Sequence, residues 1–184
     1  MKTISRKSGR VMNPKKRLLE FFLEKPTHEL YESQIRKATS ISLGAANKYL
    51  KELSREKLII LRKIGRMNLY KLNRESGYVK RMKIAHSFSL PVISMLKKLG
   101  ERLGIEMFVY GSTSRGEDVE NSDLDVLIIG NIKLHVIEKE MIPIRKKSEK
   151  KIKSSIFTRR EWISMSKKDP TFFERVEKDK VRIE

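Results

Sequence analysis

The sequence predicts an α+β protein built in two parts, on three observations. The first 75 residues hold three short segments with apolar residues at helical spacing, followed by two β-type runs around a Gly-containing turn. The remaining residues alternate longer amphipathic stretches with apolar runs of strand length. The length of 184 residues accommodates two small cores, since a hydrophobic core becomes self-sufficient at about 50 to 100 residues. The expected parts are 1–75 and 76–184, because Asn73 to Gly77 is rich in turn-forming residues.

Composition narrows the function classes. With no cysteine there are no disulfides and no thiolate metal sites, which excludes zinc fingers as the reason for a basic chain. No apolar run approaches the roughly 20 residues of a bilayer span. The basic N-terminus is not followed by the apolar stretch of a secretory signal. A cytoplasmic protein without a membrane partner is therefore expected. The net charge of +19 attracts polyanions. It is concentrated early: residues 1–80 hold 20 Lys and Arg against 7 Asp and Glu.

The elements of the first part follow in order. Pro14 in a first turn, with Leu18, Leu19, Phe22 and Leu23 at helical spacing before Pro26, predicts a helix. Tyr31 to Ala38 predicts a second, with Ile35 inward. Thr39 to Ser42 supply a turn and a cap for a third from Leu43 to Glu56, with Ala46, Leu50 and Leu53 inward. Leu58 to Ile64 reads as a strand, Gly65 to Asn68 as a tight turn and Leu69 to Leu72 as the returning strand.

Three short helices and a basic hairpin resemble the winged helix-turn-helix, over about 60 residues. A helix fits the major groove of double-stranded DNA, where exposed polar side chains reach base edges, and a hairpin wing reaches phosphates. The expected DNA-binding residues are Ser42, Asn47, Lys48 and Lys51 on the third helix, with Arg62, Lys63, Arg66 and Lys71 on the wing. The alternative is a protein-docking module with a solvated basic face. The lead-in residues Lys2, Arg6, Lys7 and Arg10 read as an arm along the DNA backbone or as a frayed terminus.

The second part opens with an expected helical stripe of Tyr78, Met82, Ala85 and Phe88. Pro91 interrupts it, and Val92, Met95, Leu96 and Leu99 continue an apolar face to Gly104. Ile105 to Tyr110 predicts a strand running into Gly111-Ser112-Thr113-Ser114-Arg115-Gly116. Ser122-Asp123-Leu124-Asp125 then opens a second strand, Val126 to Ile129. Side chains alternate along a strand, so Asp123 and Asp125 project to one side while Leu124 and Val126 enter the core. Two adjacent carboxylates repel unless a cation lies between them, and a hard divalent metal suits oxygen ligands. Gly111 allows close backbone approach to a ligand, Ser112 and Ser114 offer hydroxyls, Arg115 offers a phosphate fork, and a helix starting here would aim amides at a phosphate.

This stretch, YGSTSRGEDVENSDLDVLII, resembles the polymerase-beta-like nucleotidyltransferases. Their signature is Gly-Ser, about ten residues, then Asp-x-Asp in an apolar strand. The resemblance implies a mixed sheet flanked by helices. It also implies binding of a nucleoside triphosphate such as ATP with Mg2+ or Mn2+, with Asp123 and Asp125 as catalytic and metal-binding residues. Gly111, Ser112, Ser114 and Arg115 would then hold the nucleotide.

One position departs from the pattern. Active members carry a third carboxylate on a later strand, and the corresponding segment, Lys151 to Phe157, reads KIKSSIF with Lys153 in the expected place. A lysine repels magnesium but pairs with aspartate or phosphate. Glu149 or Glu161 would have to substitute from outside the strand. Arg159 to Trp162 and Pro170 to Phe173 predict closing helices, with Trp162, Phe172 and Phe173 as core. His28, His86 and His135 stand at no ligand spacing and receive no role.

Two functions are compatible with these residues. In one, the protein transfers a nucleoside monophosphate to a protein or nucleic-acid acceptor. In the other, it is a transcription regulator whose weakened nucleotidyltransferase domain senses nucleotide or engages a partner. A toxin partner follows from family analogy alone, and a homodimer from the paired half-sites that such DNA readers use.

Overall fold

The computed structural model describes residues 13–184, so the basic lead-in Lys2, Arg6, Lys7 and Arg10 lies outside the described residues. The chain divides into two compact units between Asn73 and Arg74. It is mixed α and β, with two small sheets and, among the described residues, eight helices.

In the first unit, α1 (Pro14–Glu24) starts where the Asn13 side chain accepts from the Lys15 amide and Pro14 fixes the first turn. It buries Leu18, Phe22 and Leu23. A short strand that the sequence pattern did not announce, β1 (Leu30–Tyr31), precedes α2 (Glu32–Thr39). Ser40 ends α2 in the left-handed conformation (φ 52°). Ser42 caps α3 (Leu43–Arg55), which buries Ala46, Leu50 and Leu53. Each fully buried side chain, such as Phe22, Leu50 or Leu53, contributes about 1.5–3 kcal/mol relative to exposure.

The hairpin of β2 (Ile59–Ile64) and β3 (Met67–Leu72) keeps an unbroken antiparallel register from Ile59↔Leu72 to Ile64↔Met67. Its turn is therefore Gly65-Arg66 alone, not the four residues expected. Gly65 takes the positive φ (57°) that such two-residue connections need at their first position. The sheet order is β1-β3-β2.

In the second unit, α4 (Gly77–Phe88) and α5 (Pro91–Leu103) lead to β4 (Glu106–Tyr110) and β5 (Leu124–Ile129). Then follow α6 (Leu134–Lys147), β6 (Ile152–Phe157), α7 (Arg159–Lys168), α8 (Pro170–Asp179) and β7 (Val181–Arg182). The sheet order is β6-β5-β4-β7, with β5 and β6 parallel and the other pairs antiparallel.

Alternation along the strands separates two cores. Met107, Val109, Leu124, Val126, Ile128 and Ile152 pack with residues of α5 and α6. Leu127 and Ile129 pack with Trp162 and Val176, against Phe108, Tyr110, Phe157, Phe172 and Phe173. Trp162, 4% exposed, centres this second layer, and its ring centroid lies 5.1 Å from that of Phe173 and 5.4 Å from that of Phe157.

The face of α4 differs from expectation. Tyr78 is 63% exposed and Ala85 is exposed, whereas Val79, Lys83 and Ser87 are buried. The helix is rotated so that Lys83 reaches a buried aspartate, Asp118. A simple apolar count does not reveal this, because the stabilising partner lies 35 residues away in sequence.

Candidate functional site

The strand register brings three chemically active side chains abreast. Tyr110 at the end of β4 pairs with Asp125 near the start of β5, and Asp125 pairs with Lys153 in the parallel partner β6. Register neighbours share a sheet face. Asp125 therefore sits at the end of the face that Leu127 and Ile129 continue towards Trp162. Lys153 Nζ lies 2.6 Å from Asp123 Oδ2. The Tyr110 hydroxyl lies 3.0 Å from Ser155 Oγ, one strand repeat further along β6.

The backbone after β4 closes on this group. Gly111 has φ 77°, and a Cβ built there would stand 2.8 Å from Asp125 Oδ2. A side chain at this position would thus collide with the carboxylate in a conformation that L-residues avoid. No helix follows Gly111, contrary to expectation. Residues 111–116 form consecutive turns, closed by bonds from the Arg115 amide to the Gly111 carbonyl and from the Glu117 amide to the Ser112 carbonyl.

Within this loop the expected nucleotide-binding side chains are partly committed. The buried Ser114 hydroxyl donates to the Gly111 carbonyl at 2.8 Å. The Arg115 guanidinium holds Glu117 at 2.9 Å and Asp179 at 2.6 Å. The expected phosphate fork is therefore occupied by two carboxylates. Ser112 is half-buried beside Gly111. Thr113, which the sequence reading passed over, is 1% exposed, and its Oγ1 has no hydrogen-bond partner among the described residues.

A second group of charges anchors the far end of the loop. Asp118 is buried between Lys150 Nζ at 2.6 Å and Lys83 Nζ at 3.2 Å. Burial pushes the Lys83 ammonium below its ordinary range, against the pull of Asp118. Arg74 donates to the Glu117 carbonyl and Lys80 pairs with the Glu117 carboxylate. Gly116, at φ 67°, lies so close to the Lys80 carbonyl that a Cβ would overlap it. The only signal in the sequence was a lysine four residues after Val79 and four before Ser87, on the buried face of α4.

The electrostatics of the aspartates diverge. The Lys153 hydrogen bond holds Asp123 below the usual carboxylate range. Asp125 is pushed up, first by burial and also by the like charge of Asp123, while Lys153 and Arg175 oppose the rise. The bond to Asp123 in turn raises the Lys153 ammonium.

A divalent metal, which the resemblance implies, does not fit these residues as a resident centre. Magnesium requires about six oxygen ligands in octahedral array. Here one of two carboxylates is held by an ammonium, and no three His, Cys, Asp or Glu side chains gather as a ligand set among the described residues.

On the first unit, α3 carries Asn47, Lys48 and Lys51, all exposed. The Ser42 hydroxyl accepts from the Ala45 amide as the helix cap, and the Asn47 amide, in the orientation that turns its nitrogen to Glu32, donates to both Glu32 oxygens at 2.9 and 3.2 Å. Lys48 Nζ lies 5.3 Å from the Tyr49 ring centroid. On the hairpin, Arg62 and Lys71 share one face, Lys63 points to the other and Arg66 sits in the turn. Arg62 pairs with Glu29 at 2.8 Å. The four basic wing residues are thus exposed but do not form a single-faced row.

Among the described residues no helix is long and apolar enough to cross a membrane. Of solved structures, Lactococcus lactis ZitR, in a cysteine-to-serine mutant form, is similar at 20% identity and a TM-score of 0.35. That similarity covers 55% of this chain and 70% of the other. No curated protein matches the chain. The segment carrying Gly111, Ser112, Asp123, Asp125 and Lys153 lies within residues 92–181, which match the family model of the nucleotidyltransferase domain.

Proposed function

We propose that this chain is a DNA-binding regulatory protein whose nucleotidyltransferase-type unit binds a nucleoside triphosphate and transfers its nucleoside monophosphate, with release of pyrophosphate, only poorly. The observation that carries this reading is Lys153, paired with Asp123 at 2.6 Å in the strand where transferases of this type place a third carboxylate. Phosphoryl-type chemistry relies on positioned oxygens and neutralised charge. An ammonium neutralises charge but takes no proton from an acceptor hydroxyl while it stays protonated. Gly111 against Asp125 and the half-buried Ser112 supply the nucleotide-facing bend. Nucleotidyltransferase domains generally use a nucleoside triphosphate with a divalent metal, so any Mg2+ here would arrive with the nucleotide.

The first unit supports the DNA part of the reading as a winged helix-turn-helix. Its helices precede an antiparallel hairpin, and α3 exposes Lys48 and Lys51. A helix of this kind docks in the major groove with the wing on the backbone. Ser42 and Asn47 act by shaping the helix start and its partner Glu32, and Lys48, Lys51, Lys63, Arg66 and Lys71 act on phosphates or base edges. Operator binding as a homodimer belongs to the same proposal.

A second reading is favoured by the match of residues 92–181: a transferase that adds a nucleoside monophosphate to a protein, such as a toxin partner, or to a nucleic-acid end. Incubating the chain with labelled ATP, magnesium and cell extract separates the two. The regulatory reading expects at most a trace of label. Robust transfer by the wild type, abolished in Asp123→Asn/Asp125→Asn, would establish the transferase instead.

A further inference from the structure

One of the two carboxylates that a metal would bridge here is already engaged by an ammonium. Lys153 is the register partner of Asp125, and its Nζ lies 2.6 Å from Asp123 Oδ2. Two other cations, Lys151 and Arg175, act on the same pair, Lys151 on Asp123 and Arg175 on Asp125. Arg175 is held near by its contact with the Phe172 ring, which itself packs edge-on against Tyr110. A divalent ion entering this end of the sheet meets three positive charges against two negative ones, before it finds any third carboxylate. It would have to displace an ammonium already at hydrogen-bond distance.

We propose that the Lys153 ammonium is the resident cation of this site, so that Asp123 and Asp125 hold no divalent metal in the free protein. The inference rests on these two aspartates forming the ligand site, but it concerns the cation and not the nucleotide. A corollary is that one substitution, Lys153→Asp, creates a divalent-cation site: it removes the competing ammonium and adds a third carboxylate at the same register level, flanked by Asp125.

The test is Mn2+ titration of the full chain without nucleotide, followed by loss of the free-ion electron paramagnetic resonance signal. The Asp123→Asn/Asp125→Asn variant supplies the background. The wild type should match that background. Lys153→Asp should bind one additional Mn2+ about tenfold or more tightly than the background, and adding Asp125→Asn to it should remove that ion. Lys153→Ala, which keeps the strand and deletes the charge, should show a smaller gain and serves if the aspartate variant does not fold. Wild-type Mn2+ binding that the double aspartate variant abolishes overturns the proposal. So does unchanged binding in both Lys153 variants. Failure of the wild type to bind nucleotide would defeat the proposed function while leaving these outcomes as they stand.

Discussion

Asp118 shows how single side chains set the conditions for the candidate site. Its carboxylate is 4% exposed and lies between Lys83, also 4% exposed, and Lys150, 19% exposed. Breaking such a pair from one side leaves a buried charge, which costs about 3–5 kcal/mol. Asp118→Asn should therefore lower the urea midpoint of the second unit by an amount equivalent to about 3 kcal/mol, whereas Lys83→Met/Asp118→Leu should cost much less. Lys83 also predicts a pH dependence. Because its folded ammonium lies below its unfolded value, the unfolded chain binds more protons in the alkaline range just below about 10.4. Stability should rise with pH through that window, and Lys83→Met should flatten this slope in thermal melts. A falling slope in the wild type, equal to that of the variant, would refute the assignment. At Gly111, alanine meets both a positive φ and Asp125 Oδ2 at 2.8 Å. The left-handed backbone alone costs about 1–2 kcal/mol, and the displaced carboxylate should weaken nucleotide binding by more than that loss of stability explains.

At the scale of elements, the loop between β4 and β5 is held at its middle. Gly116 rests on the Lys80 carbonyl of α4, and Glu117 and Asp118 are tied to Arg74, Lys80, Lys83 and Lys150. Gly116→Ala would force α4 and the loop apart at backbone, not at a yielding side-chain end. It should therefore destabilise the second unit by several kcal/mol, of the order of a strained core substitution, as read by chemical unfolding. In the first unit, α3 and the hairpin should respond differently to truncation. Lys48→Ala acts from the helix and should relax sequence preference, while Arg66→Ala acts from the turn and should weaken all duplexes alike. Competition binding with matched and scrambled duplexes separates the two; identical profiles would contradict this division. Arg62 should contribute less than Arg66, because Glu29 already holds it at 2.8 Å.

At the scale of the whole molecule, charge decides how the chain meets its partners. Of its net charge of +19, the first 80 residues carry the larger share. If about four of the cations on α3 and the wing each neutralise a phosphate, raising salt from 50 to 200 mM should weaken duplex binding about a hundredfold. An affinity that hardly changes across this range would remove the DNA reading, leaving the basic face as a solvated surface.

What the sequence determined by itself was whatever rests on local pattern. Helical spacing placed α1, α3 and α5, and alternation placed Asp125 on the face opposite Val126. The Gly-Ser and Asp-x-Asp spacing marked the candidate site, and the absence of an acid in β6 marked its departure from the resembled pattern. Tertiary structure decided what depends on partners distant in the chain. It turned Lys83 inward towards Asp118, engaged Arg115 with Asp179, added β7 beside β4 and set Lys153 on Asp123. Periodicity encodes which face of an element is buried, but an ion pair across 30 to 64 residues leaves no periodic trace. Only the folded chain shows which charges meet.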